Sequence, residues 1–466
     1  MRFSAGASAG TVHFIGISGI GMSALARILQ QRGYCVTGSS DRRTALTERL
    51  AEEGATITVG HDAANLGDAA TVVISTAIGR DNPELVAARE RGLEVVHRGA
   101  LLGHLMSDRR GIAVAGTHGK TTTTAMVACT LEAGGLDPTV IVGGERIDTQ
   151  TNARDGKGAW LVSEADESDL SFLDLRPEIA VVTNIENDHI ASDAELPRMI
   201  AAFERFAANV PAHGLALIGI DEPRSAKLAG RKRISRTRTF GFHAAADVRA
   251  QGARYGGFGS HFTIALNGSA IGEIELSVPG AINVLDALPA VAIGLELGLP
   301  FATIADALAG YRGVRRRFEF VARTPRMTVV DDYAHHPTAV AATIAAARAD
   351  FDGPIVAAFQ PHRYTRTQYL AGDFARALRG ADQVVLTDVY AASEAPLPGV
   401  DATAIGVPLA ALGANVAYVR AVEDLPAYLL EHAPQGALVL ALGAGSITYA
   451  AAQLARLLEP DGVVAT

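Results

Sequence analysis

Thiols are scarce in this chain: 466 residues carry two cysteines, Cys35 and Cys129, in apolar-periodic segments and without metal-type spacing. That excludes a thiolate metal centre, and both read as reduced core residues of a cytosolic protein. Positive charge is also in short supply. With 41 Lys and Arg against 50 Asp and Glu, the formal net charge is -9, which opposes a nucleic-acid or anionic-membrane surface and leaves any phosphate binding to local chemistry. No uninterrupted apolar run is long enough to span a bilayer, and Met1 to Gly10 holds no apolar signal core. These absences predict a cytoplasmic protein with no membrane insertion and no nucleic-acid partner.

What the chain does have is length and alternation. At 466 residues it should form about three domains of the usual size. Its first α/β pattern opens on a strand, Val12 to Ile15, then Gly16-Ile17-Ser18-Gly19-Ile20-Gly21, a helix from Met22 to Gln31, and a strand from Tyr34 to Gly38 ending in Ser39-Ser40-Asp41. That is the layout of a dinucleotide-binding unit, with Asp41 about twenty residues past the last glycine, where a ribose hydroxyl is held. The order Gly-x-x-Gly-x-Gly is not the nicotinamide fingerprint, so the turn reads as a diphosphate site for another nucleotide. A third strand, Thr71 to Ile74, brings Ser75 and Thr76 to the same edge, where ligands of parallel sheets collect.

The second pattern contains strands Ile112 to Ala115, Trp160 to Ser163 and Ile179 to Thr183, then a glycine-rich alternation from Val248 to Val278 that suits antiparallel strands. The third repeats strand and helix through Met327 to Val330, Ile355 to Phe359, Gln383 to Leu386 and Ala437 to Leu442. The predicted fold class is therefore α/β, with three domains in series: an N-terminal Rossmann-like domain (1–106), a central P-loop ATPase-like domain with added antiparallel strands (107–313), and a C-terminal Rossmann-like domain (314–466).

Chemistry concentrates in Val114-Ala115-Gly116-Thr117-His118-Gly119-Lys120-Thr121-Thr122-Thr123-Thr124, a strand end running into a glycine turn and a helix. Amides of the turn and of the helix N-terminus, from Gly116, Thr117, Gly119 and Thr122, point at phosphates; Lys120 reaches the β/γ oxygens, and the Thr121 hydroxyl holds Mg²⁺. Val114 stands where the general motif has its first glycine, so this is a compact variant. Glu164, Asp166, Glu167 and Asp169 follow the strand from Trp160, in the position of a metal-holding acidic group, and Glu164 is the expected Mg²⁺ ligand. The next strand delivers Asn184-Ile185-Glu186-Asn187-Asp188-His189, whose Asp-His pair marks His189 as a second metal position.

These residues carry a resemblance. Gly16 to Met22, Gly116 to Thr124, Glu164 to Asp169, Asn184 to His189, Arg316-Arg317-Phe318-Glu319, Asp331 to Thr338 and Phe359 to Thr367 together resemble the Mur ligase family of ATP-dependent amide-forming enzymes, over nearly the whole chain. The resemblance is strongest to the branch that adds the first amino acid in peptidoglycan synthesis. It implies that the first domain binds UDP-N-acetylmuramate, through Gly19, Gly21, Met22, Asp41, Ser75 and Thr76. The second then binds ATP with two Mg²⁺ ions, and the third brings in L-alanine and closes the cleft. The lactyl carboxylate would take the γ-phosphoryl of ATP, and the amine would displace phosphate from the acyl phosphate. On this basis Lys120, His189, His335 and Arg366 are the catalytic candidates. Arg317 would clamp phosphate, Asp332 would hold the ATP ribose and Asn283 the adenine. His335 would face the amine or the intermediate, Arg366 would hold the amino-acid carboxylate, and Arg363 is a further substrate-binding candidate. A monomer or homodimer is expected.

Some positions depart from the family pattern. After Pro279-Gly280 the family usually reads His-Asn-Val-x-Asn, and this chain reads Ile282-Asn283-Val284-Leu285-Asp286. Ala191 replaces a second aspartate after the metal histidine, with Asp193 as a shifted substitute. No lysine lies between Lys157 and Lys227, which agrees with the alanine-adding branch, since later-acting relatives use a carbamoylated lysine there. Three rivals stay open. A recycling ligase for preformed peptides typically carries Thr-Phe-Met where this chain has Gly19-Ile20-Gly21-Met22; a nicotinamide oxidoreductase leaves the ATP cradle unexplained; and a non-catalytic relative leaves the catalytic residues unexplained. Choice among L-alanine, glycine and L-serine rests on pocket shape.

Overall fold

The structure, a computed structural model, describes residues 10–187, 196–231, 233–234, 236–392 and 394–458. Three sheets follow one another along the chain. The first comprises β1 (Thr11–Ile15), β2 (Cys35–Ser40), β3 (Thr56–Val59), β4 (Thr71–Ile74) and β5 (Glu94–His97), in the order β3-β2-β1-β4-β5. All neighbours are parallel. Strand order reverses between β1 and β4, so the crevice at their carboxyl ends is the place for a ligand. β1 is buried along its whole length because helices cover both faces.

The second sheet has ten strands: β6 (Arg110–Ala115), β7 (Thr139–Ile141), β8 (Ala153–Arg154), β9 (Trp160–Glu164), β10 (Ile179–Val182), β11 (Leu215–Gly219), β12 (Thr237–Gly241), β13 (Val248–Gly256), β14 (Gly259–Leu266) and β15 (Ser269–Leu276). Their order is β15-β14-β13-β12-β11-β10-β6-β9-β7-β8, and β13, β14 and β15 form the expected antiparallel extension. β6 lies between β10 and β9, in register Ala115 with Val182 and Val114 with Glu164. That register decides which acidic residue stands beside the phosphate loop. The third sheet comprises β16 (Glu319–Arg323), β17 (Met327–Asp332), β18 (Ile355–Phe359), β19 (Gln383–Leu386), β20 (Val416–Tyr418) and β21 (Ala437–Leu442), ordered β16-β17-β21-β18-β19-β20. Only β16 runs antiparallel to its neighbour.

A buried arginine ties the first two units together. Arg27, on the helix Ile20–Gln31, donates from Nε and Nη2 to Glu53 at 2.8 and 2.9 Å, and from Nη1 to Thr151 Oγ1 at 2.7 Å and Asn152 Oδ1 at 2.8 Å. Asn152 in turn donates to the Ile20 carbonyl. The glycine turn before this helix is thereby held at a fixed place relative to the central sheet. One expectation fails here: Cys35 is exposed, not a core residue, because it stands at the very start of β2, whose burial deepens only toward Ser40. Cys129 is half-buried, and burial pushes its thiol up to about 12. Among the described residues, no helix is long and apolar enough to cross a membrane.

Candidate active site

The loop after β6 bends through two glycines with positive φ, Gly116 at 139° and Gly119 at 82°. A side chain is excluded at both. A Cβ on Gly116 would fall 1.9 Å from Thr183 Oγ1, and one on Gly119 would fall 2.1 Å from Asp286 Oδ1. The end of β10 braces the loop from below. Thr117 N donates to the Asn184 carbonyl at 3.1 Å, His118 N donates to Asn184 Oδ1 at 2.9 Å, and Thr183 Oγ1 donates to the His118 carbonyl at 2.6 Å. Gly119 then starts the helix Lys120–Ala133 with no side-chain cap, leaving its first amides available to an anion.

Lys120 Nζ donates to the carbonyls of Gly116 at 2.6 Å and Thr117 at 3.1 Å, and pairs with Glu167 Oε1 at 2.9 Å. Burial alone would lower the pKa of this ammonium, but the charges of Glu167 and Glu164 outweigh it and raise it, so the lysine stays cationic. Thr121 Oγ1 donates to Glu164 Oε2 at 2.8 Å, the same oxygen that accepts from Gly143 N at 3.0 Å. Burial raises the Glu164 carboxyl against the pull of Lys120 and Thr121. A threonine hydroxyl and a half-buried carboxylate in contact form a hard oxygen donor pair of the kind Mg²⁺ takes. Arg317 Nη2 lies 3.3 Å from Thr121 Oγ1, so the junction with the third unit delivers a guanidinium to the same point.

The four acidic residues at and just after the end of β9 divide by partner. Glu164 faces Thr121, Glu167 faces Lys120, and Asp166 and Asp169 both accept from Arg98 Nη2, at 2.7 and 2.8 Å. Burial raises the Asp166 carboxyl, but Arg98 and the Ser168 contacts outweigh this and hold it down to about 2. Arg98 carries no motif signal of its own, and sequence reasoning passed over it. Glu186 was also passed over as a functional group. It accepts from Thr338 Oγ1 at 2.6 Å, lies 3.5 Å from His118 Nε2, and is held down to about 2 because the His118 hydrogen bond and charge outweigh burial. His118, Glu186 and His336 offer donor atoms all within 4.8 Å of one another, joining the phosphate loop to the third unit. His189, the second metal position expected from sequence, lies outside the described residues.

Three cavities meet at Glu164 and Asp166. The first, of about 320 Å³, is lined by Thr117, Gly119, Lys120, Thr121 and Thr122 on one side and by Asn283, Asp286, Arg317, Asp332 and His335 on the other. A smaller one, about 100 Å³, runs under Gly21 and Arg98. The third, about 580 Å³, joins Ser18 and Ile20 of the glycine turn to Thr121, Arg315, Arg316, Arg317 and Tyr333. Each unit thus reaches the same pair of carboxylates.

Other candidates sit farther away. The Met22 side chain packs in the hydrophobic core, so only its backbone is offered to a ligand. Gly19 opens the helix Ile20–Gln31 as its uncapped N-cap. Asp41 is exposed and pairs with His61 Nε2 at 3.2 Å, and Thr76 Oγ1 donates to Asp169 Oδ2 at 3.0 Å; Asp41, Ser75 and Thr76 line none of the three cavities. Asn283 Nδ2 donates to the Pro279 carbonyl at 2.6 Å. Asp332 lines the first of these cavities, but its two oxygens accept from Phe318 N and Ala334 N, at 2.8 and 2.7 Å, and so shape the turn. His335 lines that cavity with Nδ1 2.8 Å from the Tyr333 carbonyl. Arg366 is buried, its Nη1 3.5 Å from the His335 carbonyl, and Arg363 lies at the start of the helix Tyr364–Tyr369; neither lines any of these cavities.

Known proteins share this arrangement. Residues 11–110 match the "Mur ligase family, catalytic domain", residues 114–294 the "Mur ligase middle domain", and residues 316–445 the "Mur ligase, glutamate ligase domain". A protein of Acidithiobacillus ferrooxidans named UDP-N-acetylmuramate--L-alanine ligase is 46% identical over 97% of this chain and 98% of its own length. The protein of that name from Geotalea uraniireducens is 44% identical over 97% and 98%. The crystal structure of UDP-N-acetylmuramate-alanine ligase from Thermotoga maritima superposes with a TM-score of 0.84 at 32% identity, covering 97% of this chain and 99% of that one. A murein peptide ligase from Psychrobacter arcticus shares the fold at TM-score 0.73 and 24% identity, over 98% and 100%. With three successive domain matches and relatives this similar from end to end, the chain belongs to the Mur ligase family.

Proposed function

We propose that this protein joins L-alanine to the lactyl carboxylate of UDP-N-acetylmuramate, giving UDP-N-acetylmuramoyl-L-alanine, ADP and phosphate in peptidoglycan synthesis. The observation that carries the reading is the meeting of three cavities at Glu164 and Asp166, beside Lys120 and Thr121. Residues 1–106 supply the glycine turn for the UDP-sugar, 107–313 the phosphate loop for ATP, and 314–466 the arginines and histidines for the amino acid and for closure. A carboxylate does not react with an amine at neutral pH. Its oxygen must first attack the γ-phosphorus, releasing ADP; the neutral amine then attacks the acyl carbon, and phosphate leaves with the original carboxylate oxygen.

The chain's residues serve these two displacements in turn. Loop amides and Lys120 hold the triphosphate oxygens, with Lys120 turned from the loop carbonyls toward phosphate. Arg317, already at Thr121, adds positive charge where the phosphoryl group moves. Thr121 and Glu164 would hold Mg²⁺, which when bound neutralises phosphate charge; a second ion is assigned to His189. His335 and Arg366 orient the amino acid, and docking of the third unit through Thr338 and Glu186 excludes water from the acyl phosphate. We place the enzyme in the cytoplasm, as a monomer or homodimer.

A matrix of UDP-sugars against amino acids and peptides, read as ADP formation, tests the assignment. UDP-N-acetylmuramate with L-alanine should give the highest kcat/KM. ADP formation only with a preformed peptide would make this a recycling ligase, and none with any pair would make it a non-catalytic relative.

A further inference from the structure

Asp286 is a buried acid beside the phosphate loop, and its surroundings give that placement a consequence. It lies in the helix Ala281–Glu296, 5% exposed, and lines the cavity that holds the phosphate loop. Its Oδ1 sits so close to Gly119 that no Cβ fits between them. The Thr123 hydroxyl donates to it at a long 3.4 Å, and among the described residues no cation pairs with it. The charged or titratable groups nearest it are Arg317 from the domain junction and the buried Tyr311, while Lys120 on the adjoining helix is engaged with Glu167; on its other side Asp286 lines a second cavity with Glu186, Asp221 and Glu222. Across the cavity stand His118, Glu164 and Asp332. An ionised carboxylate here would be an unpaired buried charge pressed against the turn that receives phosphates.

We propose that Asp286 takes part in ATP binding as a neutral carboxylic acid, a hydrogen-bond donor under the phosphate loop whose loss of a proton expels the triphosphate. Burial pushes its carboxyl up to about 8 against the opposing pull of Arg317 and Thr123, so the acid is mostly protonated at neutral pH. A nearby triphosphate favours the protonated form further. The isosteric amide would keep the shape and the donor and lose only the titration. This inference rests on the reading of the cavity as the ATP site.

Calorimetric binding of the Mg²⁺ complex of a non-hydrolysable ATP analogue, from pH 6.5 to 9.5, tests it. For the native protein the apparent Kd should rise about tenfold between pH 7 and pH 9, with proton uptake growing from about 0.1 to about 0.9 per analogue bound. Asp286→Asn should bind within about threefold of native at pH 7 and stay flat to pH 9.5. The proton count is made on the native protein, so it decides the matter even if the variant misfolds. A flat native Kd without proton uptake would overturn the proposal, as would a folded Asp286→Asn protein whose binding is weakened tenfold or more at pH 7. Absence of analogue binding by the native protein at pH 7 would instead remove the ATP reading, and the proposal with it.

Discussion

Replacing Lys120 by methionine should remove activity and destabilise the central unit, and the two effects separate in a double variant. The Lys120 side chain is 14% exposed and that of Glu167 is 2% exposed, with Nζ 2.9 Å from Oε1. Lys120→Met deprives a buried carboxylate of its cation, a change that costs about 3–5 kcal/mol. For a unit of roughly 200 residues that lowers the melting temperature by roughly 6–20 °C. Lys120→Met with Glu167→Gln removes both charges at once, and half or more of the lost stability should return, while turnover stays absent because the phosphoryl group has lost its cation. UDP-sugar binding should persist throughout, since the glycine turn is held by Arg27 and Asn152, whereas Lys120 bonds Gly116, Thr117 and Glu167. Differential scanning calorimetry with and without UDP-N-acetylmuramate reads stability and sugar binding, and ADP release reads turnover. A single variant melting with the native protein, or a double variant no more stable than the single, would refute the ion-pair argument; loss of UDP-sugar binding in a folded variant would refute the division between domains.

Three further outcomes are expected. Glu164→Gln should raise the Mg²⁺ concentration for half-maximal rate by roughly tenfold or more, because it removes the carboxylate next to Thr121; an unchanged magnesium titration would return Glu164 to a structural role. Arg366→Lys keeps the charge but loses the fork, so the L-alanine KM should rise roughly tenfold or more with little change in the ATP KM, and L-alaninamide should lose little further in the variant. Equal impairment with both substrates would move Arg366 to phosphate. Burial pushes Asp331 up to about 6 despite Arg316 and Thr448, so the folded state binds more protons than the unfolded one between about pH 4 and 6, and stability falls as pH rises through that window. Asp331→Asn should therefore melt higher than the native protein above pH 6, with the advantage gone below about pH 4, as thermal melts across pH will show.

The phosphate loop was legible because its chemistry fixes residue type: two glycines take backbone conformations other residues avoid, and a lysine and a threonine follow at set offsets. Fully buried strands such as β18 and β21 were legible as continuous apolar runs. Edge strands were not. β3 is short and largely exposed and β20 is three residues long and only half-buried, so no apolar run marks them. The acidic group after β9 announced a site but not its distribution, which depends on the register of Val114 with Glu164 and on Arg98, a residue more than sixty positions upstream. Met22 shows the converse: membership of a motif did not distinguish a side chain used for packing from a backbone offered to ligand.

The central claim is that the lactyl carboxylate is phosphorylated before the amine attacks, at the point where the three cavities meet. UDP-N-acetylmuramate carrying ¹⁸O in its lactyl carboxylate, turned over with unlabelled ATP and L-alanine, measures this directly. One ¹⁸O atom should appear in each inorganic phosphate released, because the carboxylate oxygen that attacks the γ-phosphorus leaves with it. Phosphate free of ¹⁸O, formed together with amide product, would contradict the account.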